Sequence, residues 1–216
     1  MVKMTLLNSR EEWLEHRKKG IGGSEISAVI GANPYMSNTE LWELKTGRRE
    51  PEDISDKPCV RYGTLAEEYI RKMFELRNSH LDVHYKENNS FRNDKYPFAQ
   101  ASVDGWLYDE NKRLGIWECK TTEIMNRTML DKWKDGMPQN YFCQVLLYMA
   151  VLEADFCVLT AEKRYPWKTG YAEIQDYYIE RSEVQEDIEY LMAEGEKFWG
   201  YVQRDERPPC VLPNDF

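Results

Sequence analysis

Asp104, Glu118 and Lys120 are the residues of this chain whose types and spacing suit metal-assisted chemistry. The stretches Ala101-Ser102-Val103-Asp104-Gly105-Trp106 and Ile116-Trp117-Glu118-Cys119-Lys120-Thr121 read as two short strands, joined by a polar turn from Tyr108 to Arg113. Side chains on a strand alternate faces, so Glu118 and Lys120 point one way while Trp117 and Cys119 point the other. Two carboxylates and a lysine on one hairpin face are costly to bury as spare charges. A divalent cation between the carboxylates removes that cost. Hard cations such as Mg2+ take oxygen ligands, and a nearby ammonium can hold an attacking water or a phosphate oxygen. The alternative is an exposed hairpin face on which Glu118 and Lys120 pair in solvent, an arrangement nearly neutral for stability. Strand-like apolar flanks and the glycine after Asp104 favour the metal reading.

Composition narrows the class of protein. A chain of 216 residues with 42% hydrophobic and 13% aromatic residues can build one substantial core. No apolar run approaches the ~20 residues a membrane span needs, and the N-terminus lacks a signal core, so a cytoplasmic protein is expected. The five cysteines are scattered and form no Cys-x-x-Cys pair, which suggests neither zinc nor an iron–sulfur cluster and fits a reducing compartment. A net charge of −9 argues against broad nonspecific coating of nucleic acid but is compatible with a local basic groove.

The elements that must position the hairpin follow from periodicity and punctuation. A helix is predicted over residues 9–19, with Ser9 and Glu12 as a capping box and Gly20 as its stop. Arg17, Lys18 and Lys19 on its last turn suit the helix dipole. A glycine turn opens a short helix near Ser24, which Gly31 ends; Ser24 serves there as a cap or as part of a phosphate site. A helix from Thr39 to Thr46 precedes an exposed loop over 48–58. An amphipathic helix over 61–77 carries Leu65, Ala66, Tyr69, Ile70, Met73 and Phe74 as its apolar stripe. Glu67 or Glu68 in its early turns is a candidate outer metal ligand, or else complements the dipole.

Strands are predicted at 83–85, 89–92 and from Phe98 to Asp104, and a helix over 123–134 after the hairpin. A helix from Gln139 to Leu152 is apolar nearly all round and therefore buried. Its Gln144 and Tyr148 lie four apart, and a buried Gln144 needs hydrogen-bond partners. Strands at 156–160 and 171–179 and a helix over 182–203, capped by Ser182, complete the chain. The fold class is α/β, a mixed central β-sheet flanked by helices, in one domain spanning 1–216.

Five blocks in order resemble the phage lambda exonuclease family, the YqaJ-like viral recombinases of the PD-(D/E)xK nuclease superfamily. They are Trp13 and Arg17 with Gly22-Gly23-Ser24; Gly63 to Glu67; Ser102-Val103-Asp104-Gly105; Glu118-Cys119-Lys120; and Cys143-Gln144-Val145 with Tyr148. The likeness covers roughly residues 9–160. Val103 stands where the family has proline. The resemblance implies a restriction-endonuclease-like core in which Asp104 and Glu118 hold Mg2+ (or Mn2+), one or two ions, with the Cys119 backbone carbonyl and Glu67 nearby. Lys120 then assists the attacking water, and Arg17, Ser24, Ser102 and Gln144 form a pocket for a 5′-terminal phosphate. It further implies a 5′-to-3′ exonuclease acting on double-stranded DNA ends, a homotrimeric ring, a phage single-strand annealing protein as partner, and a phage or prophage origin. Lys18, Lys19, Arg48 and Arg49 are candidates for a basic ring lining. The alternatives are a restriction-type endonuclease on the same core and a noncatalytic DNA-end-binding module.

Overall fold

The computed structural model describes residues 1–134 and 136–211. The central strand is β5 (Leu114–Glu123), whose Gly115 to Cys119 stretch is buried throughout. Burial on both faces requires a layer on each side of the sheet. Helix α4 (Pro58–Arg77) covers one face, where Ile70 and Phe74 pack with Trp117 and Cys119. Helix α6 (Gln139–Leu152) covers the other, with every residue from Cys143 to Leu152 buried. The expectation of a buried, apolar α6 is met.

The sheet has the order β2-β4-β5-β6-β7, with β2 (Asp82–His84), β4 (Gly105–Tyr108), β6 (Phe156–Arg164) and β7 (Ala172–Glu180). Its pairs are antiparallel except β5 with β6, which run parallel. A parallel pair needs a long crossover, and α6 supplies it. The mixed sheet flanked by helices matches the expected fold class. Helix α2 (Gly23–Val29) and α7 (Arg181–Arg204) pack on α6, and a separate two-stranded sheet joins β1 (Val2–Leu6) to β3 (Asn89–Asn93). Helices α1 (Arg10–Arg17), α3 (Asn38–Lys45) and the short α5 (Arg127–Asp131) complete the described elements.

Several expected boundaries shift, each for a local reason. Residues 98–104 form isolated bridges, Ile21 with Ala99 and Phe91 with Ala101, rather than a strand. The expected helix over 123–134 shrinks to α5 because β5 continues to Glu123 alongside β6. The amphipathic helix begins earlier, with Pro58 at its first turn, where a missing N–H costs nothing. Its predicted stripe is only partly buried: Leu65, Tyr69 and Met73 are exposed. Ser9 does cap α1, but the Glu12 carboxylate turns to Asn8, so the capping box is half formed. Glu180, not Ser182, is the N-cap of α7. Strand β1 had no expectation in the sequence; only its first residue is half-buried, so the inward-outward alternation that announces a strand is missing.

Val103 has a role of its own. Its backbone N–H donates to Asn89 Oδ1 at 3.0 Å, and Asn89 Nδ2 donates to the Val103 carbonyl at 2.8 Å. Proline has no N–H to give, so Val103→Pro is expected to lose one of the two bonds between the Val103 backbone and the Asn89 side chain. The measurement is denaturant unfolding, with a loss of about 1 kcal/mol or more.

Candidate active site

The site forms where two strands part. β4 pairs with β5 only as far as Gly105 opposite Trp117. Beyond that point β5 keeps β6 on one edge and leaves the other edge open. Asp104, just before β4, bends across this opening, and its Oδ2 accepts the Cys119 backbone N–H at 2.9 Å. Asp104 is thereby pinned beside Glu118 and Lys120, as the hairpin reading expected, although it belongs to a loop and not to a strand.

Glu118 is 1% exposed, which excludes the solvent-exposed pair as an account of this face. Its Oε1 accepts from Lys120 Nζ at 2.6 Å and from Gln144 Nε2 at 2.7 Å. Gln144 Nε2 also contacts the Tyr148 hydroxyl at 2.9 Å. The other oxygen, Glu118 Oε2, is buried without a hydrogen-bond partner. From α4, Glu67 turns toward the site while Glu68 turns out to Lys72, which decides between the two candidates. Arg71, one turn on from Glu67, makes a 3.4 Å ion pair with it and lies 3.5 Å from the Asp104 carbonyl. Gly63 lets α4 come close: a Cβ there would sit 3.1 Å from Thr121 Oγ1 on β5.

Three carboxylates here face one lysine and one arginine. Burial, then the Asp104 charge, pushes the Glu118 carboxyl up to about 8 and Glu67 up to about 7. Burial raises Asp104 as well. For Lys120 burial works downward, but the Glu118 and Asp104 carboxylates outweigh it and hold the ammonium above its usual range. The cluster carries more negative charge than its cations answer, in a setting that penalises each unanswered charge.

A divalent cation fits this excess. Among the described residues no three His, Cys, Asp or Glu side chains stand close enough to form a complete ligand cluster. Mg2+ does not need one: it is commonly held by one or two carboxylates, with water and phosphate oxygens filling the remaining positions. The unpartnered Glu118 Oε2 and the all-oxygen donor set of Asp104, Glu118 and the Cys119 carbonyl match that requirement.

Of the four expected phosphate-pocket residues, Arg17, Ser24 and Ser102 are joined through Trp13, while Gln144 packs beneath the start of α2. Arg17 Nη2 donates to Ser24 Oγ at 2.9 Å, and the guanidinium stacks 4.7 Å from the Trp13 ring centroid. Trp13 Nε1 donates to Ser102 Oγ at 2.9 Å, and Ser102 passes its own proton to the Asn89 carbonyl at 2.7 Å. Gly23 seats the start of α2 directly on Gln144 and Tyr148 of α6. Hydrogen bonds join Glu118 to Gln144, the Arg17–Trp13 stack joins Ser24 to Ser102, and the two groups meet by packing at Gly23. A Cβ at Gly23 would collide with the Tyr148 ring, so Gly23→Ala is expected to cost about 1–3 kcal/mol by overpacking, read from the midpoint of urea unfolding.

Several residues escaped sequence reasoning. Glu25 makes a 2.8 Å ion pair with Lys45 and lies 3.6 Å from Arg17, while Lys45 Nζ donates to the Arg17 carbonyl at 2.9 Å. Burial opposes ionisation of Glu25, yet Lys45 and Arg17 hold its carboxyl below the usual range. Nothing in the spacing ties Lys45 to Arg17; Arg71, four residues from Glu67, was legible in principle. The four candidate ring-lining cations are exposed. Lys18 pairs with Glu15, Arg48 with Asp205 and Arg49 with Glu40, so three of the four cations already have carboxylate partners. Glu15 lies on α1 and Glu40 on α3, whereas Asp205 is the C-cap residue of α7.

Comparison with known proteins accords with this geometry. The profile of the YqaJ-like viral recombinase domain matches residues 12–171. The chain is 37% identical over 166 residues to the uncharacterized protein YqaJ of Bacillus subtilis, covering 74% of this chain and 49% of that one, so it spans about half the length of this curated relative. Among solved structures, an alkaline exonuclease from Laribacter hongkongensis in complex with dAMP aligns with a TM-score of 0.64 and 20% identity, over 90% of this chain and 95% of that one. A phage-related exonuclease from Haemophilus somnus aligns with a TM-score of 0.56 and 12% identity, over 86% and 96%. At these identities the structural likeness speaks for the fold. Among the described residues no helix is long and apolar enough to cross a membrane.

Proposed function

The chain belongs to the YqaJ-like viral recombinase family, and from that premise we propose that it is a Mg2+-dependent exonuclease. It degrades the 5′-ended strand of linear double-stranded DNA and leaves a 3′ single strand for phage-type recombination. The observation that carries this reading is the buried Asp104–Glu118–Lys120 group, whose partner Gln144 packs against the start of α2, the helix that carries Ser24 and its contact to Arg17. Hydrolytic groups placed beside an anion pocket suit a phosphodiester close to a terminal phosphate.

In this mechanism Asp104, Glu118 and the Cys119 carbonyl hold the cation, which when bound stabilises the charge developing on phosphate and lowers the pKa of a bound water. Lys120, whose Nζ lies 2.6 Å from Glu118 Oε1, would orient the attacking water with its ammonium. Gln144 keeps Glu118 in place through the amide that already reaches Oε1. Glu67 adds a carboxylate at the rim, and Arg71 keeps it directed inward. Arg17 offers a planar, always charged donor fork suited to phosphate. Its stacking on Trp13 and the Glu25 carboxylate behind it fix its orientation.

Closed cyclic symmetry is the ordinary assembly of identical subunits. The proposal includes a homotrimeric ring around the duplex and a single-strand annealing protein that takes up the 3′ strand. Light scattering in the presence of DNA tests the ring; a monomer mass would remove it.

End recognition gives the direct test of the pocket. Wild-type protein is expected to digest 5′-phosphorylated duplexes faster than 5′-hydroxyl ones, and Arg17→Ala to erase most of that preference. A charge-assisted contact of about 1.5–3 kcal/mol corresponds to roughly tenfold or more. Equal losses on both substrates would make Arg17 a general DNA contact instead.

A further inference from the structure

A cavity of about 740 Å3 opens past the ends of β5 and β6, lined by Arg127, Lys134, Lys163, Trp133, Trp167 and Gln175 among others. It lies on the same sheet face as the candidate catalytic residues. Ala161 pairs with Lys120 and Gln175 with Ala161, while Lys163 pairs with Thr122 and Glu173. Paired residues share a face, so Lys120, Lys163, Glu173 and Gln175 all point to the α6 side. Along the strand, Lys163 is only two residue steps beyond the level of Lys120, about 7 Å. Aromatic rings bridge the interval: Lys120 Nζ lies 5.2 Å from the Tyr141 ring, and Tyr141 packs 5.7 Å from Trp133 at the cavity wall.

Two properties of the cavity bear on what it can bind. Among the described residues its lining carries Arg127, Lys134 and Lys163 beside Asp131 and Glu173; Arg127 and Lys163 pair with those acids, and Arg127 stays open to solvent. The cavity also displays a large aromatic ring to solvent. Trp167 is 56% exposed, and its inner edge is braced by Tyr165 at 5.5 Å. A basic groove combined with an open aromatic face is the chemistry that receives unpaired bases, because every base has a face to stack and every nucleotide a phosphate to neutralise. A blunt duplex presents no free base faces along its length.

We propose that this cavity binds an unpaired stretch of DNA next to the hydrolytic centre, with a base stacked on Trp167 and phosphates met by Arg127 and Lys134. The inference rests on the nuclease reading for its substrate, and adds a site that separates single-stranded from paired DNA.

The test is binding in buffer free of divalent metal, so that hydrolysis plays no part. Labelled oligothymidine, a forked duplex and a blunt duplex are titrated by fluorescence anisotropy against wild type, Trp167→Ala and Trp167→Phe. The expected result is a loss of about tenfold for Trp167→Ala on oligothymidine and on the fork, less than twofold on the blunt duplex, and near-complete retention by Trp167→Phe. Equal affinity of Trp167→Ala and wild type for oligothymidine would overturn the site. So would an equal loss on all three DNAs. A change in particle mass of DNA-free Trp167→Ala by light scattering would assign the cavity to a second copy of the chain and overturn it too. Mg2+-dependent digestion of linear duplex by wild type, measured separately, distinguishes the two readings. Digestion with no Trp167 effect removes only the cavity; no digestion and no DNA binding removes both.

Discussion

Asp104→Ala is expected to abolish Mg2+-dependent hydrolysis while leaving the fold in place. The substitution removes an oxygen donor from the cation site and frees the Cys119 N–H at the open edge of β5, where solvent can satisfy it. It also removes one of three mutually repelling carboxylates. The unfolding midpoint without metal is therefore expected to stay close to wild type or rise. DNA affinity is expected to hold or increase, since a carboxylate beside phosphate is repulsive. The check pairs a gel assay of duplex digestion with a thermal melt. Wild type should gain stability on adding Mg2+, following the linkage of ligand binding to folding, and Asp104→Ala should not. Digestion by the Asp104→Ala protein would remove Asp104 from the site.

Lys120→Ala is the second large effect. Its ammonium is the near cation for Glu118 and makes its 2.6 Å contact inside the fold. Loss of a group that orients or activates the water costs roughly 10²-fold or more in rate. The cation site itself keeps its oxygen donors, so the Mg2+-dependent rise in melting temperature is expected to survive. That survival separates Lys120 from Asp104: both variants lose activity, and only one loses the metal response. The metal-free Lys120→Ala protein is expected to unfold more easily, because Glu118 is left in a buried place without its partner charge.

Much of this site was legible in the sequence because its elements announce themselves locally. Alternation along Ile116 to Thr121 put Glu118 and Lys120 on one face, and the structure joins them. The apolar circumference of Gln139 to Leu152 marked a buried helix, which made Gln144 a polar group in need of partners; it finds Glu118 and Tyr148. What stayed hidden depends on distant contacts. The loop carrying Asp104 read as a strand, since Phe98, Ala99, Ala101 and Val103 supply apolar side chains, yet these fill the core from an irregular backbone. The Glu25–Lys45 pair joins two helices through space, with no sequence spacing to signal it. The extension of β5 to Glu123 is imposed by pairing with β6, against a local pattern that favoured helix. The cavity beside Trp167 gathers α5, the turn after it and the β6–β7 loop, segments that no sequence spacing joins.

The central claim is hydrolysis from a 5′ end, and one experiment addresses it directly. Closed circular, nicked and linear duplex DNA are incubated with the protein and Mg2+, with the linear substrate labelled at either the 5′ or the 3′ end of one strand. The account predicts that the closed circle remains intact and the linear duplex is consumed. It also predicts early release of the 5′ label and a long-lived 3′-labelled single strand. Cutting of the closed circle, or release of the 3′ label first, would contradict it.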